Sequence, residues 1–206
     1  MMAKGLLIVL SGPSGVGKGT INQRVRELSP DIKKSVSVTT RLQRPNEKDG
    51  IHYHFISQNE FGNLIKNNGL LEYAKVYQNY YGTPKKPVID ALEKGIDMIF
   101  ELDIQGARLI KQSYDDCVRI FITPPSIEEL QNRLNNRGTE TEEVKALRLS
   151  ETIKELNEAK YYDYMVVNND VEKAAKTIID IISAEKARTL RNENKINKLI
   201  QGDNII

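Results

Sequence analysis

Short apolar runs alternate with helical spacing along most of this chain. Gly5-Leu6-Leu7-Ile8-Val9-Leu10 is almost wholly apolar, the pattern of a strand covered on both faces of a parallel sheet. Across 18–29, Ile21, Val25 and Leu28 fall at helical spacing. Met98–Leu102, Val118–Thr123 and Tyr164–Val167 read as further buried strands. Helical patterns follow each of them, over 105–112, over 126–137 and from 171 onward. Ser126 with Glu129 predicts a capping box ahead of Ile127, Leu130 and Leu134, and Gly138 suits the end of that helix. No repeat with a period of 20–50 residues is visible. The alternation predicts an α/β fold with a doubly wound parallel sheet flanked by helices.

Residues 35–83 break the rhythm. Alternating stretches at Ser35–Thr39 and His52–Ile56, with Tyr53, Tyr73, Tyr77, Tyr80 and Tyr81 nearby, predict a small mixed β insert. Tyr80 and Tyr81, adjacent on a strand, face opposite ways, so one at most enters a shared pocket. Residues 126–160 carry eight acidic and six basic side chains and predict an exposed helical pair linked through 137–141. The expected organisation is a core at 1–34, an insert at 35–83, core again at 84–125, a lid at 126–157, core at 158–187 and a tail at 188–206. That tail, rich in Asn and Lys, suits helix and disorder equally.

Composition narrows the picture. Apolar residues are 39% of 206, about 45% with the glycines, which suits a globular chain. The formal charge of +2 argues against non-specific nucleic-acid binding and makes any anion site local. Residues 33–54, with five basic side chains against two acidic, are one such concentration. A lone Cys117 forms no internal disulfide and favours a reducing, cytoplasmic setting; it reads as a small buried apolar residue. No run approaches the roughly 18 apolar residues of a membrane span, and the N-terminus has no signal-peptide cleavage pattern.

The most specific feature is Gly12-Pro13-Ser14-Gly15-Val16-Gly17-Lys18-Gly19-Thr20. Glycines let successive backbone N–H groups converge on a phosphate. Lys18 adds charge for β- and γ-phosphates, and the helix that follows aims its positive end at the same place. Gly19 stands where Ser or Thr normally offers a hydroxyl to Mg²⁺. Either Thr20 reaches the metal's hydration shell, or phosphates and water hold the ion. Asp103, at the carboxyl end of the Met98–Leu102 run, is a candidate partner for that Mg²⁺ through water.

Ser37-Val38-Thr39-Thr40-Arg41-Leu42-Gln43-Arg44-Pro45 is the second informative stretch. Two arginines three apart, beside hydroxyl residues, can clamp one phosphate from two sides. His52 and His54 lack a Cys or a third His, which argues against a zinc site.

Taken together, SGPSGVGKG, SVSVTTRLQRP, GIHYHF, LLEYAKVYQNYYGTP, ELDIQGA and RGTETEEV closely resemble the guanylate kinase family, in order and spacing, over roughly residues 5–185. The resemblance implies a P-loop NTPase core with a GMP-binding insert and a mobile helical lid. It implies transfer of the γ-phosphoryl group of ATP to GMP or dGMP, with Mg²⁺. Arg41, Arg44, Tyr53 and Tyr81 match positions that hold the GMP phosphate; Ser37, Glu72 and Thr83 match those that read the base. Glu101 and Asp103 join that GMP set, Glu101 standing where the family often has Asp. Thr83 stands where it often has Ser. Arg137 and Arg148 match lid arginines, with Arg133 a weaker third, and Asn168 matches a position near the adenine ring. The implied partners are small nucleotides, not nucleic acid or membrane; a homodimer is compatible.

Guanine chemistry agrees with those assignments. A carboxylate at Glu72 can accept from N1–H and the 2-amino group, and the Ser37 and Thr83 hydroxyls can donate to O6. Adenine reverses this edge and would leave buried groups unpaired. Two alternatives share the resemblance: a kinase for another nucleoside monophosphate, and a protein-binding module without catalysis. The retained Lys18 and a length barely above one kinase unit speak against the module. A P-loop GTPase would need an NKxD motif, which is missing.

Overall fold

A computed structural model describes residues 4–76, 78–135, 150 and 152–202. The central strand is β1 (Leu7–Ser11). It is flanked by β7 (Met98–Glu101) and β8 (Cys117–Thr123), with β2 (Lys33–Lys34) outside β7 and β9 (Tyr164–Val167) outside β8. All four pairings are parallel. Strand β1 begins two residues later than the apolar run and includes Ser11, so its carboxyl end delivers the chain straight into the glycine-rich loop.

The continuous apolar run has a direct physical reason. Alternate side chains of a strand point to opposite faces, and both faces of β1 are covered. Leu6, Ile8 and Leu10 pack with Ile21 and Val25 of α1 (Lys18–Leu28), Leu130 of α5 (Ile127–Asn135), and Ala174, Ile178 and Ile182 of α7 (Val171–Ala187). Leu7 and Val9 pack with Val88 and Leu92 of α3 (Lys85–Glu93) and Ala107 and Ile110 of α4 (Ile104–Ser113). Each fully buried side chain of this size contributes about 1.5–3 kcal/mol. Cys117 lies in the second cluster, and burial pushes its thiol up to about 11.

The second sheet is mixed, in the order β4 (His54–Phe55), β3 (Val38–Thr39), β6 (Asn79–Pro84), β5 (Leu70–Val76). Strands β3 and β4 are parallel; the other pairs are antiparallel. Its own small core holds Val38, Phe61 and Leu70 with Tyr80 packed against them. Helix α2 (Gln58–Lys66) supplies Phe61. Tyr80 stacks on Phe61 at 5.3 Å while Tyr81 contacts Tyr53 at 5.8 Å, so the two tyrosines do face opposite ways.

Several local expectations shift. Helices α2 and α3 were not read from the sequence, although the Ser57–Glu60 spacing carries the signal. Ser57 accepts from the Glu60 N–H, and Glu60 reaches back to the Ser57 N–H. At Ser126 only half of the expected box forms: its hydroxyl accepts from the Glu129 N–H, while the Glu129 carboxylate pairs with Arg133 at 2.9 Å. Helical residues 152–157 form α6. Beyond Arg188 the chain makes a 3₁₀ turn at Thr189–Asn192 and then α8 (Glu193–Ile200). Arg191 pairs bidentately with Asp116 and fastens that turn to the core. Of the expected lid, residues 136–149, Gly138 among them, and 151 lie outside the described residues.

Ser57→Ala removes one cap from a nine-residue helix and should lower unfolding stability by about 1 kcal/mol, read as a lower urea midpoint at unchanged slope.

Candidate functional site

The glycine-rich loop joins β1 to α1. Gly12, Gly15 and Gly17 all have positive φ, at 141°, 80° and 95°, a region that favours glycine. A Cβ on Gly12 would lie 2.2 Å from the Ile122 carbonyl oxygen, so neither conformation nor space admits a side chain there. Helix α1 starts from Gly17 with no side-chain cap and no acid in its first turn. Its leading N–H groups therefore lack an internal partner. By contrast α4 is capped by Asp103, whose Oδ1 accepts from the Gly106 N–H at 2.7 Å. Strand β7 ends at Glu101, so Asp103 opens the next helix and does not end the strand.

Lys18 folds back over the loop, its ammonium donating to the Gly12 and Pro13 carbonyls. Burial lowers its pKa, and Glu155, Glu101 and Asp103 oppose that shift. Pro13 and Val16 are buried, while Ser14, Gly19 and Thr20 are exposed. A Cβ on Gly19 would stand 3.3 Å from Glu101 Oε2. The carboxylate thus occupies space beside the position where the usual hydroxyl would project. Asn22, one turn along α1, donates to Glu101 Oε1, and Lys34 lies 3.5 Å from that same oxygen.

Glu101 also forms one wall of a second cavity of about 320 Å³, near the lower end of the size range of small-molecule sites. Ser37, Tyr53, Glu72 and Tyr81 line it from the mixed sheet, and Asp103 from the core. The structure therefore brings together residues scattered between positions 37 and 103. Glu72 and Thr83 are cross-strand partners on β5 and β6, both buried, and the Thr83 hydroxyl donates to Glu72 Oε1 at 2.7 Å. Burial raises the Glu72 pKa to about 7; the Thr83 bond pulls it down and nearby Asp103 pushes it up.

Arg41 stands beside this cavity. The Thr39 and Thr40 hydroxyls tie the preceding turn to Tyr80 of β6 and so fix where the arginine starts. Its guanidinium lies over the Tyr53 ring at 5.6 Å and the Phe55 ring at 5.7 Å. Glu47 grips it bidentately, Nη2 to Oε1 at 2.7 Å and Nη1 to Oε2 at 3.0 Å. Glu47 also accepts from the Arg44 N–H at 2.9 Å. Beside these donors the Glu47 carboxyl is held down at about 2. Sequence reading missed Glu47; an acid three residues after Arg44 was the available signal. Arg44 itself is exposed.

Asn168 is buried, and its amide donates to the Val16 carbonyl at 2.7 Å. Arg133 donates to the Asn168 carbonyl at 3.3 Å. Arg137 and Arg148 lie outside the described residues. The His52 Nδ1 accepts from the Lys48 N–H, and among the described residues no cluster of His, Cys, Asp and Glu is arranged to hold a metal.

An uncapped helix behind a glycine-rich loop, at the carboxyl end of a parallel sheet, defines a P-loop α/β protein, with a polar cavity beside it. Comparison with known proteins gives the family. The family model described as Guanylate kinase matches residues 4–185. A guanylate kinase of Carboxydothermus hydrogenoformans is 46% identical over 201 residues, covering 98% of both chains. One of Clostridium tetani is 52% identical over 195 residues, covering 95% of this chain and 93% of that one. The crystal structure of guanylate kinase from Anaplasma phagocytophilum superposes with a TM-score of 0.76 at 36% identity, covering 95% of each chain. The chain belongs to the guanylate kinase family.

The Glu72 carboxyl should titrate near pH 7 in the empty protein when followed by carbon-detected NMR. Thr83→Val, which removes the bond favouring the charged form, should move that midpoint higher.

Proposed function

We propose that this chain transfers the γ-phosphoryl group of ATP to GMP or dGMP, giving ADP and GDP or dGDP. The observation that carries the reading is the pair of pockets sharing the Glu101 wall: a phosphate loop on one side and a guanine-compatible cavity on the other. The loop N–H groups, the α1 N-terminus and Lys18 bind the donor phosphates. Arg41, Arg44, Tyr53 and Tyr81 bind the acceptor phosphate, with Glu47 orienting Arg41. Glu72 and Ser37 read the guanine edge, Thr83 supports Glu72 by donating to it from outside the cavity lining, and Asp103 adds to that wall. Arg137 and Arg148, which match the family's lid arginines, neutralise charge on the transferring group. A GMP phosphate oxygen is already a nucleophile, so alignment, water exclusion and charge neutralisation supply the catalysis.

Mg²⁺ would be held here mainly by the triphosphate and water, since no three acids converge among the described residues. Glu101 fills the space beside Gly19, Thr20 is exposed at the same helix end, and Asp103 keeps one carboxylate oxygen beyond its cap. An all-oxygen set with room for water suits this ion. Bound with the triphosphate, Mg²⁺ neutralises negative charge on the β- and γ-phosphates.

The test is a coupled ADP-release assay with GMP, dGMP, AMP and UMP as acceptors. GMP and dGMP should turn over far faster than the others; AMP turnover equal to that with GMP would contradict the reading. Lys18→Ala and Arg41→Ala should each lose several orders of magnitude in kcat/KM while staying folded, and wild-type turnover in either would remove its assignment.

Glu72→Gln should weaken GMP much more than ATP; equal weakening would make Glu72 structural. Guanine binds the charged carboxylate, while the empty protein increasingly holds a proton there below about pH 7. GMP binding then expels that proton. The KM for GMP should therefore rise as pH falls from 8 to 6, and this dependence should be weaker in Glu72→Gln, where only the GMP phosphate, with its second pKa of about 6, still titrates.

A further inference from the structure

Asn168 sits immediately after β9, at the junction with α7. Its backbone N–H donates to the Thr123 carbonyl at 2.8 Å, continuing the β8–β9 ladder. Two residues on, Asp170 caps α7 by accepting from the Lys173 N–H. The Asn168 backbone is thus fixed from both sides. Its side chain then reaches across 152 positions of sequence to the Val16 carbonyl. A Cβ on Gly17 would lie 2.6 Å from the same amide nitrogen. The amide is therefore pressed against the corner of the phosphate loop, and Gly17 is required for space as well as for its φ of 95°.

We propose that Asn168 is a positioning residue of the phosphate loop, propping its Val16–Gly17 corner so that it sets affinity for polyphosphate whatever base is attached. Across a trans peptide the C=O of one residue and the N–H of the next point opposite ways, and no cis peptide bonds occur among the described residues. Holding the Val16 carbonyl on Asn168 therefore fixes the direction of the Gly17 N–H. Val16 is fully buried in the core, and its own N–H closes the loop onto the Pro13 carbonyl. Pivoting of this peptide is thus opposed from both ends. The Asn168 carbonyl accepts from Arg133, whose Nε holds Glu129, so the same node is tied to α5. This role differs from the adenine contact implied by the family resemblance, and it rests on the reading of the loop as the donor-phosphate site.

The experiment compares ATP with inorganic tripolyphosphate, which carries no base, by titration calorimetry. It uses the full chain as wild type, Asn168→Ala and Asn168→Asp. The second variant keeps the volume and loses the donor. Loss of one buried hydrogen bond should weaken both ligands by the same factor, about tenfold, while GMP affinity stays unchanged and shows that the variants are folded. Weakening of ATP alone would make Asn168 an adenine reader and overturn the proposal, as would unchanged affinity for both. Failure of the wild type to bind either polyphosphate would instead overturn the phosphate-loop reading beneath it.

Discussion

The unsatisfied N–H groups at the start of α1 are the constraint around which the rest is arranged. A helix end without a cap is costly unless something else accepts from it, and here neither a side chain nor an acid in the first turn does so. An anion is a partner suited to such a helix end. The doubly covered β1 strand delivers the loop rigidly to that helix end. The glycines let the backbone curl, and Asn168 holds the corner from behind. The neighbouring helix α4 has its own cap in Asp103, whereas α1 leaves its first turn open behind the glycine-rich loop.

The second pocket depends on a different economy of charge. Arg41 is presented already oriented, its plane over two aromatic rings and one edge held by Glu47. Orienting an arginine before its ligand arrives lowers the entropy lost on binding. Glu72 is the opposite case: a buried carboxyl with one neutral hydroxyl for company, poised between charged and neutral forms. In the proposed reading guanine supplies the donors that such a group lacks, which makes the base edge a condition for the site to be fully paired. Glu101 lines the cavity and also reaches Gly19 at the end of the glycine-rich loop.

Much of this was legible in the sequence for physical reasons. Both-face burial writes a continuous apolar run, so β1, β7, β8 and β9 could be placed within a residue or two. The phosphate loop is local in sequence, so Gly12 to Thr20 could be read directly. The nucleotide residues Ser37, Tyr53, Glu72, Tyr81, Glu101 and Asp103 came through family resemblance, and the fold gathers them around one cavity. What was missed depends on long-range or side-chain geometry. Glu47 matters only because the 41–47 turn folds back on itself. The bond from Asn168 to Val16 spans most of the chain. Asp103 looked like the end of a strand because Leu102 prolongs the apolar run, whereas its side chain caps the next helix. Helix α2 was hidden inside a stretch whose tyrosines suggested strands throughout, and α3 lies just beyond it, at Lys85–Glu93, where no element was read.

In the proposed reaction the phosphate loop and the cavity work on one phosphoryl group. Incubating the protein with γ-labelled ATP and GMP, then separating the nucleotides, tests it most directly. The account predicts label in GDP, in equal amount to the ADP formed, with little free phosphate. Label appearing only as inorganic phosphate, at a rate indifferent to GMP, would contradict it.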